Sequence, residues 1–534
     1  MKRTMILLGV VVAVFVTYQT VFAKKKTTTL EQEIYVAIPA DPNSFDPRMV
    51  IDILSQSIVM PLFEGLMRLD NQGNVENGIA DRYSLNEDKT LYTFYLKKTQ
   101  WSNGDPVTAH DFEKAWKRIL SPGFPTKAIF YFNMIKNAEL AKKGDCPLDD
   151  IGVKALDDYT LEVTLEHPAA YFLEILTNPS FSPAHDANEA FFANHRTSST
   201  LIGNGPFCFS NWYPNHSIVF KKNEHYWDAE NVSLDTLSFS IISDASTALH
   251  LFEQGKLDYL DAISIPVESI PDLKKKKMLQ TIDSLKMEWL FVNVNAFPVN
   301  NINFRKALSK AIDRPYISKY FYYNGETPAS NIIPRQLQLI DSTPEEFSIE
   351  PAQVLLQKAM KEMNLTLDTL PQIVLKGKPL TQDMQLMQIL QEQWKKHLGL
   401  DIKIEILDFK LLLEDVTTQK FQIALLAWTS FFNDPIYNLN NLNSQVSWTG
   451  WRSDDYTKIL DLSNRSVDLI ERREFLKQAI LLAQEEMPII PLFDTPNYFV
   501  LNRRVDDIVF NAFGKPIFTY AKTCLLYTSP SPRD

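Results

Sequence analysis

The chain reads as an α/β protein built from two or three lobes that exchange strands instead of following one another like beads. Three observations predict this. Residues 77–122 hold a strand, a turn and a helix in succession, and later segments keep switching between the two-residue period of strands and the 3.6-residue period of helices. The chain has 534 residues, more than one hydrophobic core serves. Hydrophobic residues make up 45% of it and are evenly mixed, with no low-complexity linker and no internal repeat to mark off domains in series.

At the N-terminus Lys2 and Arg3 precede an apolar run from Met5 to Val16, and Val21-Phe22-Ala23 puts small residues where a signal peptidase reads. The run is too short to span a bilayer comfortably, so residues 1–23 are expected to be a signal peptide cleaved near Ala23. An uncleaved anchor is the alternative that Lys24 to Lys26 keep open. The three cysteines are Cys146, Cys208 and Cys524, none near the cleavage site, so a free periplasmic protein without a lipid anchor is expected. Three are too few for a disulfide framework, and the sequence leaves a Cys146–Cys208 pairing open. The formal charge of −11 becomes −13 without Lys2 and Arg3, with 52 basic against 65 acidic side chains, which disfavours a nucleic-acid surface. The basic block Lys274 to Lys277 reads as a solvated helix end or loop.

Leu91 to Leu96 alternates Leu91, Thr93 and Tyr95 with Tyr92, Phe94 and Leu96, the pattern of a strand partly covered on both faces. Asn103-Gly104 after Trp101 is a strong turn signal. Thr108 with Asp111 makes a near capping box, and Phe112, Ala115, Trp116, Ile119 and Leu120 trace one helix face before Pro122 ends it. Ala80, Asp81, Tyr92, Thr93, Phe94, Leu96, Trp101, Gly104, Pro106, Val107, Thr108, Ala109, Asp111 and Phe112 together form a block that resembles the signature of the extracytoplasmic oligopeptide-, dipeptide- and nickel-binding proteins that feed ABC importers, solute-binding family 5.

The resemblance extends over roughly residues 34–520. Ile151 to Leu165 reads as two strands around the turn Asp157-Asp158, and is similar to a hairpin of that family. Asn204-Gly205-Pro206-Phe207, Tyr226-Trp227 and Gly255-Lys256-Leu257-Asp258 resemble landmarks of the family's first lobe. Trp289 to Asn295 alternates as a strand, and Phe304, Ala307, Leu308, Ala311 and Ile312 mark a helix face, together resembling the entrance to the second lobe. Gln391 to Ile406 reads as a helix stopped at Gly399 and then a strand through Ile402, Ile404 and Ile406. Glu486 to Leu492 resembles the return crossing. The tail from Cys524 to Asp534 has neither periodicity nor match, and no function is attached to it.

The resemblance implies a two-lobed periplasmic binding protein fold of type II with an extra inserted domain. Its lobe I would comprise 27–62, 190–288 and 495–522, the inserted domain 63–189, and lobe II 289–494. It further implies an oligopeptide or peptide-like ligand held in the cleft between closing lobes, delivery to the permease of an ABC importer, and action as a monomer.

The informative stretch for ligand choice is Phe421 to Pro435. Ile423 to Trp428 reads as a buried strand and Ser430 to Pro435 as its C-terminal loop, where α/β folds present ligand-contacting groups. In peptide-binding relatives this loop carries an acidic residue that pairs with the ligand's α-ammonium, and the alignment of Trp428 and Asp434-Pro435 puts Phe431 there. An aromatic ring offers at most a weaker cation–π face. Leu425 stands where some relatives carry an Arg for the ligand carboxylate. Both departures point to a ligand that is capped, neutral or anchored differently; the alternative is that Asp434 takes over the amine. The candidate ligand-binding residues are therefore Trp428, Thr429, Ser430, Phe431, Asn433, Asp434 and Ile53, the last expected on an inner cleft strand and acting through its main chain. Phe130-Tyr131-Phe132 is expected in the core, with cleft lining as the alternative.

No enzyme motif is present. The sequence has no G-x-S-x-G, H-E-x-x-H, Walker A or G-x-G-x-x-G, and its eight His are scattered. Catalytic residues, metal and cofactor are accordingly not expected.

Overall fold

The computed structural model describes residues 32–193, 201–322, 325–340, 347–442 and 447–524. The leader with its cleavage site at Ala23, the Lys24 to Lys26 run and residues 525–534 of the tail lie outside the described residues.

One eleven-stranded sheet runs through the molecule. Two long antiparallel strands form its middle: a crossing strand, Leu279–Val292, and a return strand, Ile489–Leu501. On one side the sheet continues through Ile423–Thr429, Ile373–Gly377 and Ile402–Ile406, the last two running parallel. On the other it continues through Tyr259–Asp261, Glu33–Ile38 and Thr236–Ile241, the last two again parallel, before the antiparallel strands Ser217–Lys222 and Phe207–Tyr213. Each side is thus a small α/β sheet, and the chain passes between them along continuous backbone.

The two long strands lose their register between Ile282 and Lys286. An irregularity of this kind frees one residue from the ladder and increases the local twist. Here it falls where the strands pass from one half of the sheet to the other. Leu285, inside the break, accepts the N–H of Ser430 at 2.9 Å and donates its own to the Ala512 carbonyl at 3.3 Å, so three segments meet there.

Between the main-sheet strands Glu33–Ile38 and Phe207–Tyr213 the chain makes an insertion with a separate four-stranded antiparallel sheet, ordered Ala80–Leu85, Leu91–Leu96, Thr160–Thr164, Val153–Asp157. Tyr92, Phe94 and Leu96 face inward and Leu91, Thr93 and Tyr95 are half-buried, as the alternation predicts. Helix Ala109–Leu120 covers this sheet with Phe112, Ala115, Trp116, Ile119 and Leu120; the Asp111 carboxylate accepts the Thr108 N–H at 2.8 Å, completing the cap.

The second half of the sheet has a core of its own, drawn from residues 290–493. Phe304, Ala307, Leu308 and Ala311 of helix Ile302–Lys310 and its exit pack in it against Leu290, Leu425 and Ile490. Helix Thr381–Leu398 stops at Gly399, whose φ of 72° only glycine adopts without strain. Cys146, Cys208 and Cys524 are all free thiols.

Two expectations fail locally. The strand expected from Trp289 begins ten residues earlier, at Leu279, because its first half is half-exposed and carries Gln280, Thr281 and Asp283, which blur the alternation. Ile53 is not on a strand: it opens helix Ile53–Val59, whose first turn is capped by Asp52 accepting the Ser55 N–H at 2.8 Å. The Asp-x-x-Ser spacing that caps the helix outweighs the apolar Ile53-Leu54 pair.

Candidate functional site

A cavity of about 480 Å³ opens between the inserted domain, the second half of the sheet and the returning C-terminal segment. That size lies within the range of roughly 300–1,000 Å³ typical of small-ligand sites. Its walls can be built from the sequence upward.

The first wall is the turn after helix Ile53–Val59, running through Phe63, Glu64, Met67 and Arg68. The Asn204-Gly205-Pro206-Phe207 landmark fixes it. The Asn204 side chain accepts the Glu64 N–H at 3.1 Å and donates to the Glu64 carbonyl at 2.8 Å. Gly205 lies so close to this turn that an added Cβ would sit 2.7 Å from the Leu62 carbonyl carbon and the Phe63 nitrogen. The Tyr226-Trp227 landmark holds the Glu64 carboxylate: the Tyr226 hydroxyl donates to Oε2, and the Trp227 indole N–H to Oε1 at 2.6 Å. Burial pushes the Glu64 carboxyl above its usual range despite Arg68 4.0 Å away. Arg68 is itself committed to Glu76 at 2.8 Å and Asp228 at 2.7 Å. These two landmarks therefore build the cleft wall rather than touch a ligand through free valences.

The second wall is the loop after strand Ile423–Thr429, and here the candidates separate. Phe431 lines the cavity, half-buried, with its ring 5.2 Å from Phe130 and 5.8 Å from Tyr131 of the inserted domain. Asn433 is exposed, also lines the cavity, and donates its backbone N–H to Glu174 Oε1 at 2.9 Å. Ser430 is wholly buried, its hydroxyl donating to Asn438 at 2.6 Å. Thr429 is half-buried and paired with Lys286 in the sheet.

Asp434 does not point at the cavity. Its carboxylate takes a bidentate pair from Arg472, 2.9 and 2.8 Å, and also accepts the Ile436 N–H at 2.9 Å. With both groups buried, this carboxylate is already neutralised, and the alternative in which Asp434 receives a ligand amine loses its basis. Leu425 likewise says nothing of the cleft. Three residues before Trp428, it lies on the opposite face of the strand and is packed with Leu290 and Ile490. Phe431, by contrast, lines the cavity.

Trp428 is half-buried and stacks on Trp289 with ring centroids 5.7 Å apart, planes 10° from parallel. Neither indole N–H has a hydrogen-bond partner among the described residues. Both rings border a separate void of about 20 Å³ shared with Trp448 and Thr449, enough for one water. Trp428 thus belongs to an aromatic cluster beside the main cavity. Ile53 is not a cavity residue; its helix sends Gln56 and Met60 there instead.

The third wall was not foreseen. Helix Phe172–Ile175 of the inserted domain presents Glu174 to the cavity, partly buried, and burial pushes its carboxyl up to about 7 even though the Asn433 N–H favours the ionised form. Beside it Tyr171 stacks on Phe432 with centroids 4.4 Å apart. Phe510 to Phe513 and Tyr520 close the floor. Nothing in the local pattern around Glu174 separates it from a surface glutamate; only the fold brings it to Asn433. Among the described residues no three His, Cys, Asp or Glu side chains gather as metal ligands would, and no helix is long and apolar enough to cross a membrane.

Known proteins share this architecture. The profile of the bacterial extracellular solute-binding proteins, family 5 (middle), matches residues 74–450. The chain is 31% identical over 510 residues to the oligopeptide-binding protein OppA of Bacillus subtilis, spanning 93% of this chain and 94% of that one. It is 32% identical over 507 residues to the dipeptide-binding protein DppE of the same organism, spanning 92% of each. Among solved structures, OppA of Burkholderia pseudomallei matches with a TM-score of 0.77 at 26% identity, over 93% of this chain and all of that one. The unliganded open form of the murein tripeptide-binding protein MppA matches with a TM-score of 0.79 at 23% identity, over 93% of this chain and 98% of that one.

Proposed function

Because the chain belongs to the bacterial extracellular solute-binding proteins, family 5, we propose that it captures oligopeptides or peptide-like ligands between two closing lobes and delivers them to the membrane permease of an ABC importer. It does so as an exported, periplasmic monomer, without a cofactor and without turning its ligand over. The lobes are 27–62 with 190–288 and 495–522, the insertion 63–189, and 289–494.

The observation that carries this reading is the position of the cavity. It lies at the register break of the two strands that join the halves of the sheet, with walls from both halves and from the insertion. Tyr171 against Phe432, Phe130 against Phe431, and Glu174 against Asn433 all join the insertion to the loop that lines the cavity. A ligand seated there touches both sides at once, so its binding free energy is available only when the sides are together. That is the condition for hinge closure by population shift.

The test is native mass spectrometry of small molecules that co-purify with the exported protein, followed by titration calorimetry with a peptide panel that includes cell-wall peptides. Retained peptides recovered unchanged are the expected result. Chemically altered peptide after incubation overturns the binding-only reading.

A further inference from the structure

We infer that the Glu174 carboxylate is the acceptor for the α-ammonium of a bound peptide. The inference rests on the peptide-binding reading above and assigns one end of the ligand within the same cavity.

The cavity's charges leave few other arrangements. Among the described residues its acidic lining residues are Glu64, Glu174 and Asp283, and its one basic lining residue is Arg68. Arg68 is committed to Glu76 and Asp228, and Glu64 to Tyr226 and Trp227. Asp283 pairs at 3.0 Å with Arg335 in an exposed position. Glu174 differs from all of these: Oε1 accepts one backbone N–H, and among the described residues no cation pairs with the carboxylate. A partly desolvated carboxylate without a counter-ion is costly, and an ammonium placed against it recovers that cost.

Its place in the fold supplies the rest. Phe431 brings a ring and no charge to the cavity from the loop, and Asp434 is closed off by Arg472. Glu174 reaches the same loop from the opposite side, meeting the backbone of Asn433 two residues from Phe431. The negative charge absent from the second half of the sheet is thus supplied to the same corner of the cavity by the inserted domain. Phe431, backed by Phe130 and Tyr131, lines the same cavity and offers a ring face to a cation there.

Ionisation couples to this. Burial, with Asp434 as a further unfavourable neighbour, pushes Glu174 up to about 7, and Arg472 behind Asp434 compensates that charge; Glu64, Arg68 and Asp283 face the cavity from the other walls. Binding of a free amine therefore strengthens as pH rises through about 7, where Glu174 ionises, and weakens again above about 8 as the α-amine itself loses its proton.

The test uses three probes on the full mature chain: a pool of random tripeptides without Lys or Arg, the same pool N-acetylated, and an N-acetylated pool containing Lys. The free pool is expected to bind the wild type about ten- to a hundredfold more tightly than the acetylated pool, as for a hydrogen bond to a charged group. Glu174→Gln is expected to erase that difference, with a circular dichroism spectrum matching wild type reporting that the variant folds. A difference that survives in Glu174→Gln overturns the assignment and leaves the peptide reading standing. Preference for the acetylated Lys pool over the free pool moves the ammonium to a side chain and overturns the α-amino assignment. Binding of none of the three pools overturns the peptide reading and this inference with it.

Discussion

Asn433 and Asp434 are neighbours in sequence with opposite roles. Asn433 turns outward and reaches Glu174 across the cavity, while Asp434 turns inward to Arg472. The sequence shows both as polar loop residues before a proline; which one is free depends on Arg472, 38 residues later in helix Leu469–Glu486. Removing one partner of a buried pair leaves a charge stranded, so Arg472→Met is expected to lower stability by about 3–5 kcal/mol, read by urea denaturation. Glu174 sets a pH dependence of its own. Its folded carboxyl titrates near 7 against an ordinary 4.5, so the folded ligand-free protein holds a proton there that the unfolded chain releases. Stability from this group is full below about 4.5 and is lost as pH rises through about 7. Glu174→Gln is expected to flatten that slope in melting temperatures taken at stepped pH.

At the scale of elements, the landmarks prove to be fasteners. Asn204-Gly205 and Tyr226-Trp227 both converge on Glu64 and so fix the turn that forms one wall of the cavity. Gly205 is required there by contact, since a Cβ would meet Leu62 and Phe63 backbone below 3 Å. Gly205→Ala is expected to cost about 1–3 kcal/mol as an overpacking change and to weaken ligand binding by displacing the wall. Asp258 of the third landmark fastens a different joint. It is wholly buried, accepts the Tyr35 N–H at 2.9 Å and is held by Arg504 at 2.7 and 2.6 Å, tying the first strand to the segment after the return crossing. Elements with clean periodicity, such as strand Leu91–Leu96 and helix Ala109–Leu120, were legible because one face of each is buried. Leu279–Val292 was legible only in its second half, and Ile53–Val59 was misread, since a seven-residue helix carries less than two full turns of pattern.

For the whole molecule, the described conformation has its halves in contact across the cavity. The contacts include Tyr171 on Phe432, Phe130 and Tyr131 on Phe431, and Lys89 donating to the Val467 carbonyl at 2.6 Å. Under the proposed function the halves separate about the paired strands at Ile282–Lys286 to admit a ligand. Replacing Phe432 by Ala removes the largest of these stacks. Its ligand-free radius of gyration, from small-angle X-ray scattering, is expected to rise relative to wild type, and saturating peptide is expected to bring the two back together.

The sequence by itself determined the family, the α/β class and most of the framework, because those rest on local periodicity, caps and a long block of residues each with a short-range reason to be there. It also raised Phe431 as a candidate departure in the loop after Trp428. Only the tertiary structure placed the residues around it. It sealed Asp434 behind Arg472, turned Leu425 into the core, and brought Glu174 to the vacated corner from about 260 residues away. Pairings of that separation leave no periodic trace, since nothing within reach of either residue along the chain depends on the other.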